Sequence, residues 1–588
     1  RQGNQSGIAQ LTVSTDIRMP AHCASALIAS LVIAMIAAAG EPPADLVLLH
    51  GKIHTQDSRR SVVQALALRG NTIVAAGTDQ AVSALRGPKT QVIDLAGHTV
   101  LPGIIDAHTH PAESAQDAGK CSLEDKSLTP AEIRAKVATC LKDNPGDPHS
   151  WFEVIQAVTA GLTLTRQDLD AMLHDRPMIV SGSDGHTAWV NSAALKAAHI
   201  NAATKDPIGG RIEHDSTGKP TGTLRDAAAA LALAAKPVAS LEHETALLDK
   251  AFNAMRATGI TSVQDAAVDD HSMRIYKRLY DTHRLRMRVR GSFSLEHYHE
   301  SAKAQIDRAI VFRTKWAIDP DFLRADAIKI FADGVIEYPS QTAALLEPYL
   351  DAAGRPTPNR GPTYYTQDTL NRIVGMADAA GFTVHIHAIG DRAVRSALDA
   401  FADSRQRHGQ LDNRDQIAHL ELVEPEDFPR FRQLGVIANF QLLWAQRDSY
   451  IQETLQYLGP QRSKYLYPAG SLKRAGALIA GGSDWSVSSF DAFEAMEHAI
   501  TRCEGRGKEP LLPDEAIALQ DVVDAYTINA AFALRQERTT GSLEAGKRGD
   551  FIVLDRDIFV IDPFNLHETR VLATYLDGRE VYSTGTMK

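Results

Sequence analysis

Hydrophobic positions between residues 101 and 535 alternate between short apolar runs and longer stretches with helical spacing. Runs of this kind are typical of strands buried on both faces, and a helical stretch after each one indicates a parallel α/β fold. Eight such units predict a (β/α)8 TIM barrel. The eight strand candidates are residues 103–108, 260–266, 286–293, 326–334, 382–391, 416–422, 435–443 and 477–484.

A long segment, residues 111–250, separates the first two strand candidates. It contains a strand-like piece at 177–186 and an alanine-rich stretch at 226–236 that predicts a helix. We expect an insertion in the barrel that covers its mouth.

Both ends of the chain have a different texture from the middle. Residues 44–100 alternate short apolar runs with turn residues, and the same pattern returns within 536–588. One small β-sandwich domain built from both ends would account for this pattern and would bring the two ends together.

The N-terminal region predicts export. Residues 24–39 are almost wholly apolar and end in small residues, as in a secretory signal peptide. The run is shorter than the roughly 20 residues that a membrane span needs, although a retained anchor is the alternative. We interpret residues 1–43 as upstream residues and signal peptide, with Met19 as the start, and expect a periplasmic or secreted protein that is free of the membrane after cleavage.

Cysteine positions and charge refine this picture. In an exported protein Cys121 and Cys140 could form a disulfide, although two free thiols are an equal alternative. The net charge is -10 and no basic stripe is present, so a nucleic-acid partner is not expected. A small-molecule substrate is expected, and homo-oligomerisation is left open.

Ionisable side chains fall at the ends of the predicted strands. His108 and His110 point the same way because alternate strand residues share a face, and in a barrel the carboxyl ends of the strands form the functional face. Burying several imidazoles there is costly unless they bind something, and a divalent metal is the simplest partner. Taken singly, each residue has an ordinary role open to it, such as a salt bridge for a buried lysine or a helix cap for an aspartate. The other members of the predicted set are Lys329, His387, His419 and Asp484.

Several segments together resemble a known family. LPGIIDAHTH, IKIFADG, HIHAIGD, IAHLELV and GGSDWSV are similar to the metal-ligand segments of the amidohydrolase superfamily. GSLEAGKRGDFIVLD resembles that superfamily's C-terminal signature. The detail, including DGHTAWVNSAAL, is most similar to amidohydrolase family 3, the branch with N-substituted formamide deformylase-like enzymes.

This resemblance implies roles for the six side chains. His108 and His110 would hold one metal ion, and His387 and His419 the other, with His385 as the alternative to His387. Asp484 would bind the first ion and act as the proton shuttle. Lys329 would be N-carboxylated, and its carbamate would bridge the ions. Zinc is expected, with manganese or iron as alternatives, and related enzymes use one or two ions.

The expected activity is metal-dependent amidohydrolysis of a C–N bond other than a peptide bond, the EC 3.5 class. A metal-activated water would attack an N-acyl or N-formyl amide. Alternatives are cyclic amide hydrolysis or deamination at the same centre, and a noncatalytic binding protein. His186 is a candidate catalytic and substrate-binding residue, although it could be a turn residue. Further substrate-binding candidates are Trp189, for which a core position is the alternative, Asp333 and Trp485.

Overall fold

The computed structural model of the protein describes most of the chain from residue 42 to residue 586. The signal-peptide prediction falls almost entirely on residues 1–41, which lie outside the described residues. The described ranges are 42–117, 120–123, 126–143, 150–159, 161–182, 187–207, 210–237, 239–295, 300–338 and 340–586.

The centre of the molecule is an eight-stranded parallel barrel. Neighbouring strands in the sequence pair with one another, and a backbone hydrogen bond of 2.7 Å from Asp484 N to His108 O connects the end of the last strand to the first. The predicted TIM barrel is therefore confirmed. Five of the eight strands are shorter than the apolar runs that predicted them, and in the fifth to eighth the last residues of the run form loops of the barrel mouth. The barrel strands are Ile104–Thr109, Ile260–Val268, Arg288–Ser294, Leu323–Phe331, Thr383–Ala388, Gln416–His419, Ile437–Phe440 and Ile479–Gly481.

Helices surround the barrel and are defined locally by their caps. The side chains of Ser240, Asp269 and Thr366 each accept a hydrogen bond from the backbone N–H three residues later, which satisfies one free donor of the first helical turn. The apolar faces of these helices pack on the outer surface of the strands in one large core. In the described part of the chain the α-helices are Asp79–Ser83, Pro111–Asp117, Pro130–Asp143, Arg166–Asp170, Ser192–Ala197, Ala227–Leu233, Leu241–Ala257, Asp270–Asp281, Ala302–Lys315, Gln367–Ala379, Asp391–His408, Phe428–Leu434, Ser449–Leu458, Ala469–Arg474, Ala492–Thr501, Leu519–Ala525 and Ile528–Ala533.

The two chain ends form a β-sandwich, as expected. Its key contact is the antiparallel pairing of Phe551–Leu554 from the C-terminal part with Thr99–Pro102 from the N-terminal part. Side chains of both sheets, such as Leu66 and Val553, share one apolar core. One sheet contains, in spatial order, Thr72–Gly77, Ala65–Arg69, Leu46–Leu49 and Gln91–Asp94. The other contains Arg579–Ser583, Val571–Leu576, Phe551–Leu554, Thr99–Pro102, Lys52–His54 and Val62–Val63.

The insertion has more structure than its sequence indicated. It forms a six-stranded mixed sheet, and the alanine-rich helix spans Ala227–Leu233. Cys121 and Cys140 form a disulfide, which attaches the edge strand to helix Pro130–Asp143. In spatial order the strands are Gly210–His214, Pro220–Asp226, Thr187–Val190, Met178–Gly182, Phe152–Ala157 and Cys121–Ser122. In the described part of the chain, no helix has the length and apolar character required to cross a membrane.

A buried ion pair joins the barrel to the sandwich. Arg288, at the start of the third barrel strand, donates to both oxygens of Asp550 at 2.8 and 3.1 Å, and to Asp577 at 2.6 Å. Burial disfavours the charge of Arg288, but the two carboxylates outweigh burial and raise the pKa of the guanidinium. The buried Arg288 charge is therefore stabilised only while the two carboxylates remain ionised.

We expect Asp550→Asn to lower the free energy of unfolding by about 3 kcal/mol, because it leaves Arg288 buried with too little negative charge. Equilibrium urea denaturation followed by tryptophan fluorescence measures the loss. The same substitution at Asp307, which pairs with Lys303 on an exposed helix face, is the control and should leave the midpoint unchanged. An equal effect of the two substitutions would contradict the prediction.

Candidate metal centre

The carboxyl ends of the barrel strands bring all six predicted ligands to the barrel mouth. His108 lies near the end of the first strand and His110 directly follows it, the fourth strand carries Lys329, and the sixth ends at His419. The other two members are His387, in the fifth strand, and Asp484, just beyond the eighth. Scattered positions in the sequence thus meet because parallel strands all end at the same edge of a barrel.

The Asp484 carboxylate lies close to three of these histidines. Its Oδ1 is 3.1 Å from His110 Nε2 and 3.4 Å from His108 Nε2, and its Oδ2 is 3.9 Å from His419 Nδ1. One potential ligand atom from each of His108, His419 and Asp484 lies within 4.8 Å of the others. Two imidazoles and a carboxylate at this spacing can hold a divalent cation.

The remaining members adjoin this group. Lys329 Nζ is 3.2 Å from His108 Nε2, and the ring centroids of His387 and His419 are 4.4 Å apart. His387 Nε2 is 3.0 Å from the Gly334 carbonyl oxygen, so Nδ1 is the nitrogen left for another partner. A lysine in direct contact with an imidazole cluster, and 1% exposed, is the most unusual feature of the centre.

His385 has a different position from His387. Its Nε2 is 3.0 Å from His108 Nδ1, and its Nδ1 is 2.9 Å from Gln264 Nε2. Both ring nitrogens of His385 therefore already have partners within the protein, and the contact with His108 Nδ1 orients the His108 ring. These contacts favour His387 over His385 as the predicted metal ligand.

Burial determines the protonation of the centre. It lowers the pKa values of His108, His385 and His419 well below the ordinary value, that of His387 to about 4 and that of Lys329 to about 8. Burial would raise the pKa of Asp484, but the hydrogen bond from His110 and its charge outweigh burial and lower it. The imidazoles are thus neutral except for His110, where burial lowers the pKa but the hydrogen bond to Asp484 and its charge outweigh burial and raise it. A metal binds neutral imidazoles and a carboxylate, so His110 would release its proton on binding one.

Several buried nitrogens in the centre have no hydrogen-bond partner. They are both ring nitrogens of His419 and Nδ1 of His110, in the part of the chain that the structure describes. A buried polar atom without a partner costs on the order of 1–3 kcal/mol, so three of them at one mouth require compensation. A cation could bind one nitrogen of each ring and so compensate part of this cost, and the donor set therefore fits a metal.

The backbone at the mouth is strained where two of these ligands sit. His419 and Asp484 have φ values of 79° and 54°, in the left-handed region that non-glycine residues rarely adopt. Gly482 lets the last strand approach the first, because a Cβ there would lie 2.6 Å from the Cβ of His108. This backbone strain accompanies the inward direction of the two side chains.

Asp106 supports the ligands from behind. It accepts hydrogen bonds from Ser483 Oγ at 2.6 Å and Ser483 N at 3.0 Å, and from His108 N at 3.2 Å. It thus connects His108, near the end of the first strand, to Ser483, which precedes Asp484 after the last strand. Sequence reasoning missed this role, since an aspartate before two histidines offers no separate signal.

The predicted substrate-binding residues have mixed positions. His186 lies outside the described residues. Trp189 is 1% exposed and packs in the insertion's own core with Phe152 and Met178, which matches the alternative of a core tryptophan. The Asp333 carboxylate is 3.6 Å from His387 Nε2, but its oxygens accept from the backbone N–H groups of residues 344, 389 and 390, an arrangement that ties loops together.

Trp485 contributes through its backbone. Its carbonyl oxygen accepts hydrogen bonds from His110 N at 3.0 Å and from Ser114 Oγ at 3.1 Å, while its ring packs edge-on against Phe490. A residue that sequence reasoning did not identify is Trp444, whose ring stacks on His419 with centroids 5.7 Å apart. Its only signal was an aromatic residue soon after a strand end, which is too common to be informative.

Fold and site together define a class: a parallel barrel with an imidazole and carboxylate centre at the carboxyl ends of its strands, as in metal-dependent hydrolases. The chain belongs to the amidohydrolase family, whose model matches residues 91–582. It is 30% identical over 548 residues to the N-substituted formamide deformylase of Arthrobacter pascens, covering 91% of this chain and 97% of that protein.

Two further relatives span a similar share of the chain. The protein LONG AFTER FAR-RED 3 of Arabidopsis thaliana is 28% identical over 571 residues, covering 92% of each chain. The crystal structure of a metal-dependent hydrolase from Pyrococcus horikoshii OT3 matches with a TM-score of 0.70 and 23% identity, over 88% of this chain and 99% of that one. The structural match supports the barrel architecture, and the family match supports a hydrolase.

Proposed function

We propose that this protein hydrolyses the C–N bond of a small N-acyl or N-formyl amide, in a reaction that depends on a divalent cation. The observation that carries the proposal is the convergence of Asp484 with histidines whose buried ring nitrogens lack partners. The likeness to an N-substituted formamide deformylase over nearly the whole chain supports the choice of an amide.

Particular residues would hold the cations. His108, His110 and Asp484 would hold one, His387 and His419 the second, and an N-carboxylated Lys329 would bridge them. Zinc suits imidazole with carboxylate, and manganese and iron are the alternatives. A cation at this position supplies Lewis acidity toward water and toward a carbonyl oxygen.

Asp484 is the group that would move the proton. Its oxygens face His108, His110 and His419, and its low pKa keeps it ionised and able to accept a proton at neutral pH. Once protonated, the same carboxyl can donate its proton to the leaving nitrogen, which then departs as a neutral amine. Without that proton the nitrogen would have to leave as a strongly basic anion. His110 holds Asp484 in this position, and Trp485 in turn holds the His110 backbone.

Export is a separate proposal. The Cys121–Cys140 disulfide supports it, because disulfides persist in oxidising compartments outside the cytosol. The periplasm or the outside of the cell would then be where the substrate is found.

Exhaustive chelation should abolish amide hydrolysis, and addition of zinc or manganese should restore it, because the histidines and Asp484 need the cation to form a working centre. The measurement is amine release from a panel of N-aryl and N-alkyl formamides and acetamides, with magnesium addition as the control for nonspecific ionic effects. The nature of the product also separates the alternatives, since a deaminase would release ammonia and a cyclic amidase a ring-opened acid. Turnover that is indifferent to the metal would contradict the proposal.

A further inference from the structure

Gln441 lies at the barrel mouth beside the proposed metal ligands. It directly follows the seventh barrel strand, Ile437–Phe440, two residues beyond Asn439, whose side chain reaches across the barrel interior to Ala107 O. The seventh strand pairs with the last strand, Ile479–Gly481. Gly482, which follows that strand, donates to Phe440 O and lies against His108. Gln441 O accepts from Trp444 N, and the Trp444 ring covers His419.

The Gln441 side chain is fully buried, and neither its Oε1 nor its Nε2 has a hydrogen-bond partner among the described residues. Two other buried glutamines, Gln264 and Gln416 on barrel strands, are satisfied. Gln416, for instance, donates to Ala533 O and to Gln264 Oε1 and accepts from Asn439 Nδ2. Leaving both a donor and an acceptor unpaired is costly, so this position is expected to have a partner that binds from outside the chain.

The chemistry of the unpaired atoms identifies the kind of partner. A cation could bind one ring nitrogen of His419, but it cannot donate a hydrogen bond to the unpaired acceptor Oε1 of Gln441. A secondary amide has such a donor, its N–H. With the substrate carbonyl directed to the cation site, its N–H is the polar group that still needs an acceptor.

We propose that Gln441 is a substrate-binding residue whose Oε1 accepts a hydrogen bond from the N–H of the scissile amide, so that the site selects secondary amides over N-alkylated ones. This inference rests on the proposed amide hydrolysis and specifies its substrate class. A site built around a hydrogen bond discriminates strongly, because the wrong substrate leaves the buried group unpaired.

The test compares two substrates with two proteins. The substrates are N-phenylformamide and N-methyl-N-phenylformamide, and the proteins are the metal-loaded wild type and Gln441→Met, which has nearly the same shape without the amide. We expect the wild type to favour the N–H substrate in kcat/KM, and Gln441→Met to lose about 30-fold on it. On the N-methyl substrate the variant should lose less than about threefold, because no hydrogen bond is available to lose there. Metal content should be unchanged.

A second measurement is independent of turnover. Because Gln441 is unpaired in the free protein, Gln441→Met should raise the midpoint of thermal unfolding by about 2 °C. Gln305→Met is the matched control, since Gln305 is also fully buried with an unpaired Oε1 but lies on the outer helix Ala302–Lys315. It should leave the preference between the two substrates unchanged.

The outcomes separate this inference from the proposed function. Equal losses on both substrates, or a fall in thermal stability, would overturn the role of Gln441 while leaving amide hydrolysis in place. If the metal-loaded wild type cleaves neither compound nor any amide of the wider panel, the proposed function fails and the inference fails with it.

Discussion

Asp484→Asn is expected to lower kcat/KM for amide hydrolysis by at least about 10³-fold while the protein still binds its metal. Asparagine keeps an oxygen in nearly the same place, so the contacts to His108 and His419 persist in outline. It cannot accept a proton, however, and cannot return one to the leaving nitrogen. The measurements are steady-state kinetics and metal content by mass spectrometry.

Two further variants separate the two roles of Asp484. Asp484→Ala also removes the ligating oxygen, so it should lose metal as well as activity. Asp399→Asn makes the same chemical change on the outer face of helix Asp391–His408, where Asp399 pairs with Arg430, and should retain full activity. If the asparagine variant lost metal as completely as the alanine variant, loss of the ligand would account for its inactivity, which would contradict the prediction that metal binding persists. Unchanged turnover in the asparagine variant would exclude the proton-transfer role, and full metal content in the alanine variant would exclude the ligand role.

The sequence predicted the barrel and the convergence of its ligands because both follow from simple periodicities. Parallel strands end together, so His108, Lys329, His419 and Asp484 could be placed at one mouth without knowledge of any contact. The choice between His385 and His387 could not be made in this way, since both face the interior. It depends on which ring touches His108, and only the packed structure shows that contact.

The insertion was the part that sequence patterns described least well. Its edge strand, Cys121–Ser122, has only two residues, and strand Thr187–Val190 is buried along its whole length. A two-residue strand has no period, and a buried strand of only four residues cannot be distinguished by its pattern from a buried helix segment. For the same reason Trp189 could not be assigned to the pocket or to the core from its neighbours.

Gln441 shows a different limit. A single glutamine after an apolar strand is ordinary in sequence, and only the absence of partners among the described residues for a fully buried amide makes it a candidate. Sequence reveals which residue types are present at a strand end, whereas satisfied and unsatisfied hydrogen bonds depend on the surrounding side chains.

Lys329→Met is the second substitution with a large expected effect, and it tests whether the lysine carries a carbamate. A plain ammonium 3.2 Å from His108 Nε2 would repel any cation bound there, whereas a carbamate reverses that charge and supplies two oxygens. We therefore expect Lys329→Met to bind less metal and to lose activity by about 10²-fold or more. Metal content and kcat/KM measure the two effects.

Lys329→Glu and bicarbonate labelling distinguish a carbamate from an unmodified lysine. Glutamate restores an oxygen ligand and should recover part of the metal content that methionine loses. Wild-type protein incubated with ¹³C-bicarbonate and metal should show a carbamate carbon signal that is missing from both variants, while Lys303→Met, at an exposed position, should keep it. If Lys329→Met instead bound metal more tightly and kept its turnover, the lysine would act as an ordinary cation, and no carbamate would bridge the two metal positions.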